Sequence, residues 1–396
     1  MKDNTLSNTL ILLPVYWLFS GMLVMNSGDK PMVAITLISI IVTLFSYGLT
    51  SAKANIRHDK TLWLILTMTG YALFSYHYHG LSSREIRALL TASLFLLFFP
   101  KQLLTIAKLQ ILALIGSIFA LGTTYYFNQY LGIDRGLWPI NAIPLATMSA
   151  AFGLISVTLL FTAPRTKKNI AITLLAILFS SGAVLFSQTR GIWLGYTIVT
   201  GIVAITLNRG KVLNIKAIAI AVALLSVTGF SLKPVISERL AQTQYEINRI
   251  LSGHLNTSIG LRLQMWMLSP EMLRNDWVLG LGNDHVTKFK ELTAEGQVSS
   301  DLAGFKPAHY HNQYIDRSIK NGIVGLAILL ALLIFPVYSS MKLSRDRRFI
   351  LLSISLLYAI ASLTDVPFNH TQTLLLYLIV ISSVNMQPAT EKITLL

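Results

Sequence analysis

The chain has no cysteine among its 396 residues, which excludes both a disulfide framework and a thiolate metal site. Charge is scarce too. Asp, Glu, Lys and Arg make up 12% of residues, against about 25% in soluble domains. Acid is scarcer than base, with 17 Asp and Glu against 32 Lys and Arg. What fills the chain is apolar, 53% of residues, gathered into runs of bilayer-spanning length. The composition is that of an integral membrane protein.

A net charge of +15 would suggest nucleic acid if the protein were soluble, but the charge is patterned. Lys53/Arg57/Lys60, Arg165/Lys167/Lys168, Arg209/Lys211/Lys216 and Lys342/Arg345/Arg347/Arg348 fall in alternate loops, as the positive-inside rule requires. The loops between them, such as 26–31 and 364–371, are nearly free of Lys and Arg. We therefore expect no nucleic-acid partner and a chain surrounded by membrane lipids.

Length and hydropathy place spans near 7–25, 32–49, 61–77, 86–99, 102–121, 142–163, 170–187, 191–207, 215–232, 322–340, 349–364 and 371–387. That is about twelve, with both termini cytoplasmic. No small-residue cleavage site follows the first run, so it reads as a retained span. Span 86–99 is short enough to be re-entrant. The expected organisation is a bundle at 1–232, a non-cytoplasmic segment at 233–321 and a second bundle at 322–396.

The 233–321 segment, roughly ninety residues, far exceeds an ordinary connection and should be functional. Its charges nearly balance, ten Lys and Arg against nine Asp and Glu, as in folded, solvated structure. Residues 237–251 alternate apolar and charged positions at helical spacing, predicting an amphipathic helix. A second helix is expected at 261–273, broken by Pro270, followed by a turn at Gly280-Leu281-Gly282-Asn283. Two outer loops, Tyr76-His77-Tyr78-His79 and 123–139, read as interfacial aromatic belts.

Three residues stand out chemically. Arg190 occupies a very short outer link, where the positive-inside rule disfavours a cation. Either it faces an anionic partner or polar cavity, or it snorkels to lipid phosphate. Arg262, at the start of an apolar helix, is a surface or ion-pairing residue when taken alone. Together the two could clamp a diphosphate, because guanidinium forks match phosphate oxygens and keep their charge. His311 precedes Asn312, nine further residues and then Gly322-Ile323-Val324-Gly325 at the start of the next span. A histidine there is a natural general base near neutral pH, and the glycines would let helices approach closely. His309 and Asp301 could join His311 around a metal, although His309 reads better as a supporting or surface residue.

At these positions the chain resembles the O-antigen ligase and polymerase superfamily. The likeness rests on Thr189-Arg190-Gly191, Gly260-Leu261-Arg262, His311-Asn312, Gly322 and Gly325. It implies an all-α, GT-C-like polytopic membrane glycosyltransferase, with one large periplasmic, mainly helical segment between the ninth and tenth spans. It further implies a Gram-negative inner-membrane enzyme that acts at the periplasmic face without a metal or other cofactor. The donor would be an undecaprenyl-diphosphate-linked glycan and the acceptor lipid A–core. His311 would be the base, Arg190 and Arg262 would hold the diphosphate, and Asn312 would orient the histidine or a substrate. An O-antigen polymerase or a protein O-oligosaccharyltransferase remains open within the superfamily. A flippase without chemistry remains open outside it. The spans hold no Asp or Glu, with Glu85 and Asp365 at their boundaries, which disfavours ion-coupled transport.

Overall fold

The structure is a computed structural model that describes residues 5–208 and 233–385. Every regular element among them is helical. In chain order the α-helices are α1 (Thr5–Leu18), α2 (Asp29–Tyr47), α3 (Thr50–His58), α4 (Lys60–His79), α5 (Ser83–Phe98), α6 (Ile106–Tyr125), α7 (Ala142–Thr162), α8 (Lys167–Phe186) and α9 (Arg190–Asn208). There follow α10 (Lys233–Leu251), α11 (Ser258–Leu273), α12 (His285–Ala294), α13 (Ser300–Phe305), α14 (Gln313–Ser339), α15 (Arg345–Ala361) and α16 (Thr371–Val384). Several starts are fixed by side-chain caps. Asp59, Thr105, Asn141 and Thr166 each accept a hydrogen bond from a backbone N–H two or three residues on.

Seven helices among the described residues are long and apolar enough to cross a membrane: Thr5–Leu23, Asp29–Tyr47, Ile106–Tyr130, Ala142–Thr162, Lys167–Phe186, Arg190–Asn208 and Gln313–Lys342. The chain is thus a multi-pass protein whose described residues form helices only. The expectation of twelve spans needs five more. Four of these positions are helical but shorter or more polar (α4, α5, α15 and α16), and the fifth, 215–232, lies outside the described residues with the cluster Arg209/Lys211/Lys216. The central helix is α7. Apolar on all sides, it is enclosed by α6, α8, α9, α15 and α16.

Loops alternate between two ends of the bundle. At one end Asn55 donates to the Leu96 and Phe99 carbonyls, Lys101 pairs with Asp59 and Ser382, and Arg347 reaches the Val384 carbonyl. The basic clusters that the structure describes lie here. At the other end Arg87 pairs with Asp29, Thr123 reaches the Leu23 carbonyl, and 233–321 folds over the bundle. That segment carries a small apolar core of its own, built from Met265, Leu268, Met272, Phe289, Leu292, Leu302, Tyr310 and Ile319.

Pro14, Pro270 and Pro336 sit inside helices without ending them. Pro270 does not break α11, contrary to the sequence expectation: it leaves the Trp266 carbonyl without a backbone donor, and the Ser269 hydroxyl takes that carbonyl at 2.7 Å. Pro336 in α14 frees the Leu332 carbonyl in the same way, and the Tyr377 hydroxyl from α16 occupies it at 2.9 Å.

Gly322 interrupts α14 with φ +62°, a left-handed conformation that suits glycine. The break exposes backbone groups that the 233–321 segment uses. Ile323 N–H donates to the Trp277 carbonyl at 2.8 Å, and Leu281 N–H donates to the Ile319 carbonyl at 2.7 Å. A Cβ on Gly322 would collide with the Val278 carbonyl, and one on Gly325 with Asn321. The glycines therefore admit a backbone strand and a neighbouring side chain rather than a second helix. Tyr71 seals the joint by donating to the Asn321 carbonyl at 2.7 Å, and His79 lies 3.2 Å from the Leu279 carbonyl. His79 thus ties the Tyr-His run to the 233–321 segment. Gly322→Ala should cost about 3 kcal/mol or more, combining backbone strain with the collision. Thermal unfolding in detergent checks this, with Gly304→Ala, which has open space around it, as the neutral control.

Candidate active site

Arg190 opens α9 directly after a tight link in which Gln188 takes φ +55°. Its guanidinium donates to the Thr243 hydroxyl at 2.8 Å and pairs with Glu246 at 2.8 Å. Glu246 is buried, and its second oxygen accepts from Ile259 N–H at 2.9 Å, at the start of α11. One carboxylate thus joins α9, α10 and α11. Gly191 and Gly260 have local reasons: a Cβ on the first would meet the Thr364 side chain, and on the second the Leu255 carbonyl.

Arg262, in the second turn of α11, donates to the Thr364 carbonyl at 3.1 Å. It lines the same polar cavity as Arg190, of about 150 Å³, together with Arg135, Arg239, Gln188 and Asp365. Arg135 donates to the Gln188 carbonyl at 2.7 Å, and Arg239 grips the Gln188 side chain at 3.0 Å. Four guanidinium groups therefore surround a space in which Asp365 is, among the described residues, the one lining carboxylate. Burial, and then the neighbouring Arg239, pushes Arg135 below its ordinary value. Burial also lowers Arg262, where Asp365 opposes the effect and Arg190 adds to it. Positive charge is left in excess, and an anion with several oxygens would relieve it.

His311 lies immediately before α14 at φ +47°, a conformation uncommon for a side-chain-bearing residue. Asn312 caps the helix: its Oδ1 accepts from Tyr314 and Ile315 N–H at 3.0 and 3.2 Å, while its Nδ2 donates to the Leu363 carbonyl at 3.3 Å. Both ends of that amide are committed to backbone, so Asn312 orients the histidine through the chain rather than by touching its ring. Gln313 binds the same loop through Ser362, Phe368 and Asn369. The loop between α15 and α16 is the joint of the site. Thr364 meets Arg262 and Gly191, and the Asp365 carboxylate stands 4.0 Å from His311 Nδ1.

Burial first, and then the adjacent His309, lowers the His311 imidazole to about 4, against the raising influence of Asp365. The ring is therefore neutral at pH 7, with a lone pair available. On the far side of His309 lies a second polar cavity of about 400 Å³, with the buried pairs Arg317–Glu85 at 2.7 Å and Lys320–Asp316 at 2.9 Å in its wall. His311 is positioned between an arginine-lined pocket and a roomier space of mixed charge.

Among the histidines of the segment, His285 is structural: it is buried, 3.2 Å from the Tyr310 hydroxyl, and lowered to about 4 chiefly by burial. His254 is exposed. Asp301, considered beside the histidines as a metal ligand, is exposed at the start of α13, whereas the carboxylate that approaches them is Asp365. Sequence reasoning missed Arg135, Arg239, Glu246 and Asp365. Arg135 carried a readable signal, since it too is a cation in a loop that the sequence places on the outer side.

Residues 174–330 match the family model described as O-antigen ligase. The matched stretch contains Arg190, Arg262, His311, Asn312, Gly322 and Gly325, while Arg135 and Asp365 lie outside it. An uncharacterized protein of Haemophilus influenzae is 28% identical over 228 residues, which are 57% of this chain and 55% of that protein. The chain thus spans about half the length of this curated relative.

Proposed function

We propose, for a chain that belongs to the O-antigen ligase superfamily, that it transfers a glycan from undecaprenyl diphosphate to a sugar hydroxyl of lipid A–core. The work is done at the periplasmic face of the Gram-negative inner membrane. The observation that carries this reading is the Thr364–Asp365 joint, which sets a cluster of arginines beside a neutral histidine.

In the reaction, His311 takes the proton from the acceptor hydroxyl as its oxygen attacks the anomeric carbon of the donor sugar. The bond from that carbon to the diphosphate breaks, and its electron pair leaves with undecaprenyl diphosphate. Arg190 and Arg262, with Arg135 and Arg239 around the same pocket, hold that group and stabilise the charge it gains. The imidazolium that forms is stabilised by Asp365 across the 4.0 Å gap, which shortens once the ring is charged. A diphosphate is a good leaving group, so the reaction needs neither an acid catalyst nor a metal. Asn312, Gly322 and Gly325 act on the histidine through the backbone they shape.

The test is a strain lacking this protein. Lipid-linked polymer of normal length should accumulate without reaching lipid A–core. Loss of chain extension itself would identify a polymerase, and failed appearance of donor at the periplasmic face would identify a flippase.

A further inference from the structure

We propose that His309, His311 and Asp365 form a binding site for a divalent transition-metal cation, Zn²⁺ above all, and that its occupancy inhibits the enzyme. Each residue offers one ligand atom, and these atoms lie within 4.8 Å of one another. The His309 and His311 ring centroids are 4.3 Å apart. Tyr310 between them is fully buried and points to His285, so both imidazoles are left on the other side of the chain. Among the described residues His311 Nδ1 is buried without a hydrogen-bond partner, and it stands 4.0 Å from Asp365 Oδ1. A buried lone pair with nothing to accept from invites a ligand.

Tetrahedral zinc with bonds of about 2.0–2.1 Å needs its ligand atoms about 3.4 Å apart, so separations of up to 4.8 Å must close by at most about 1.4 Å. Two imidazoles and a carboxylate form a borderline set that suits zinc, whereas magnesium and calcium prefer oxygen alone. Access is open on both sides, because Asp365 lines the arginine pocket and His309 lines the larger cavity. Arg262, which lines the same pocket as Asp365, repels a cation and keeps the site reversible rather than structural. The inhibitory half of the proposal rests on His311 being the base, since zinc on Nδ1 leaves the proton of the neutral ring on Nε2 and neither nitrogen can take another. The binding half rests on geometry alone.

The experiment is calorimetric titration of ZnCl₂ into the full-length protein in lipid nanodiscs, with transfer assayed in parallel. Wild type should bind one zinc that His309→Ala and Asp365→Asn each weaken at least tenfold, and zinc should stop transfer until EDTA restores it. The two variants guard against misfolding, and unchanged melting temperatures without zinc qualify each. Equal zinc affinity in wild type and both variants overturns the site and leaves the base role of His311 untouched. Zinc bound with full transfer overturns the inhibition and the base role together, while the coordination site stands.

Discussion

Replacing His311 should lower glycan transfer by about 10²- to 10⁴-fold, the range a positioned general base supplies. The informative variant is His311→Asn. Position 311 holds φ +47°, and asparagine tolerates that conformation better than alanine, so chemistry is lost without added backbone strain. The fall should appear in kcat, with donor KM nearly unchanged, because the imidazole acts on the acceptor hydroxyl. Unaffected transfer in His311→Asn would sink the general-base role. The pH profile gives a second reading. Only the neutral ring is a base, and its value is lowered to about 4, so wild-type transfer should be level near neutrality and fall as pH drops toward 4. Asp365 raises that value. Asp365→Asn should therefore move the acid limb to lower pH while also slowing transfer, because the imidazolium loses its counter-charge. A merely structural role for Asp365 would slow transfer without moving the limb.

Much of the architecture was legible because bilayer-length apolar runs and alternating basic loops are local patterns. The long polar segment and its amphipathic helix were legible for the same reason, although α10 starts at Lys233 rather than 237. What escaped was set by partners far away in sequence. Arg317 pairs with Glu85 across 232 positions, and Glu85 looked only like a boundary charge. Pro270 looked like a helix breaker because the hydroxyl that takes its orphan carbonyl cannot be assigned from the local pattern. Arg239 looked like the polar face of an amphipathic helix until Gln188, 51 residues earlier, was seen between its donors. Asp365 looked like a span boundary, and nothing local connects it to His311. Seeing the Arg-Gly and His-Asn motifs required no structure; seeing the loop that joins them did.

The two motif arginines should fail differently when neutralised, because their partners differ. Arg262 donates to a backbone carbonyl and strands no contacting carboxylate when lost, so Arg262→Gln should keep its melting temperature. Its transfer should still drop about 10²- to 10³-fold, as when one preorganised donor is removed from developing charge. Arg190→Gln leaves Glu246 buried and unpaired, with its other oxygen still capping α11. That variant should lose stability on the order of 2 kcal/mol, less than for a fully buried pair because Arg190 is 29% exposed. Adding Glu246→Gln should return most of the stability and none of the activity. The double variant thereby separates the structural duty of Arg190 from its duty to the diphosphate. If activity returns along with stability, Arg190 serves the fold alone, and the leaving group is held by Arg262, Arg135 and Arg239.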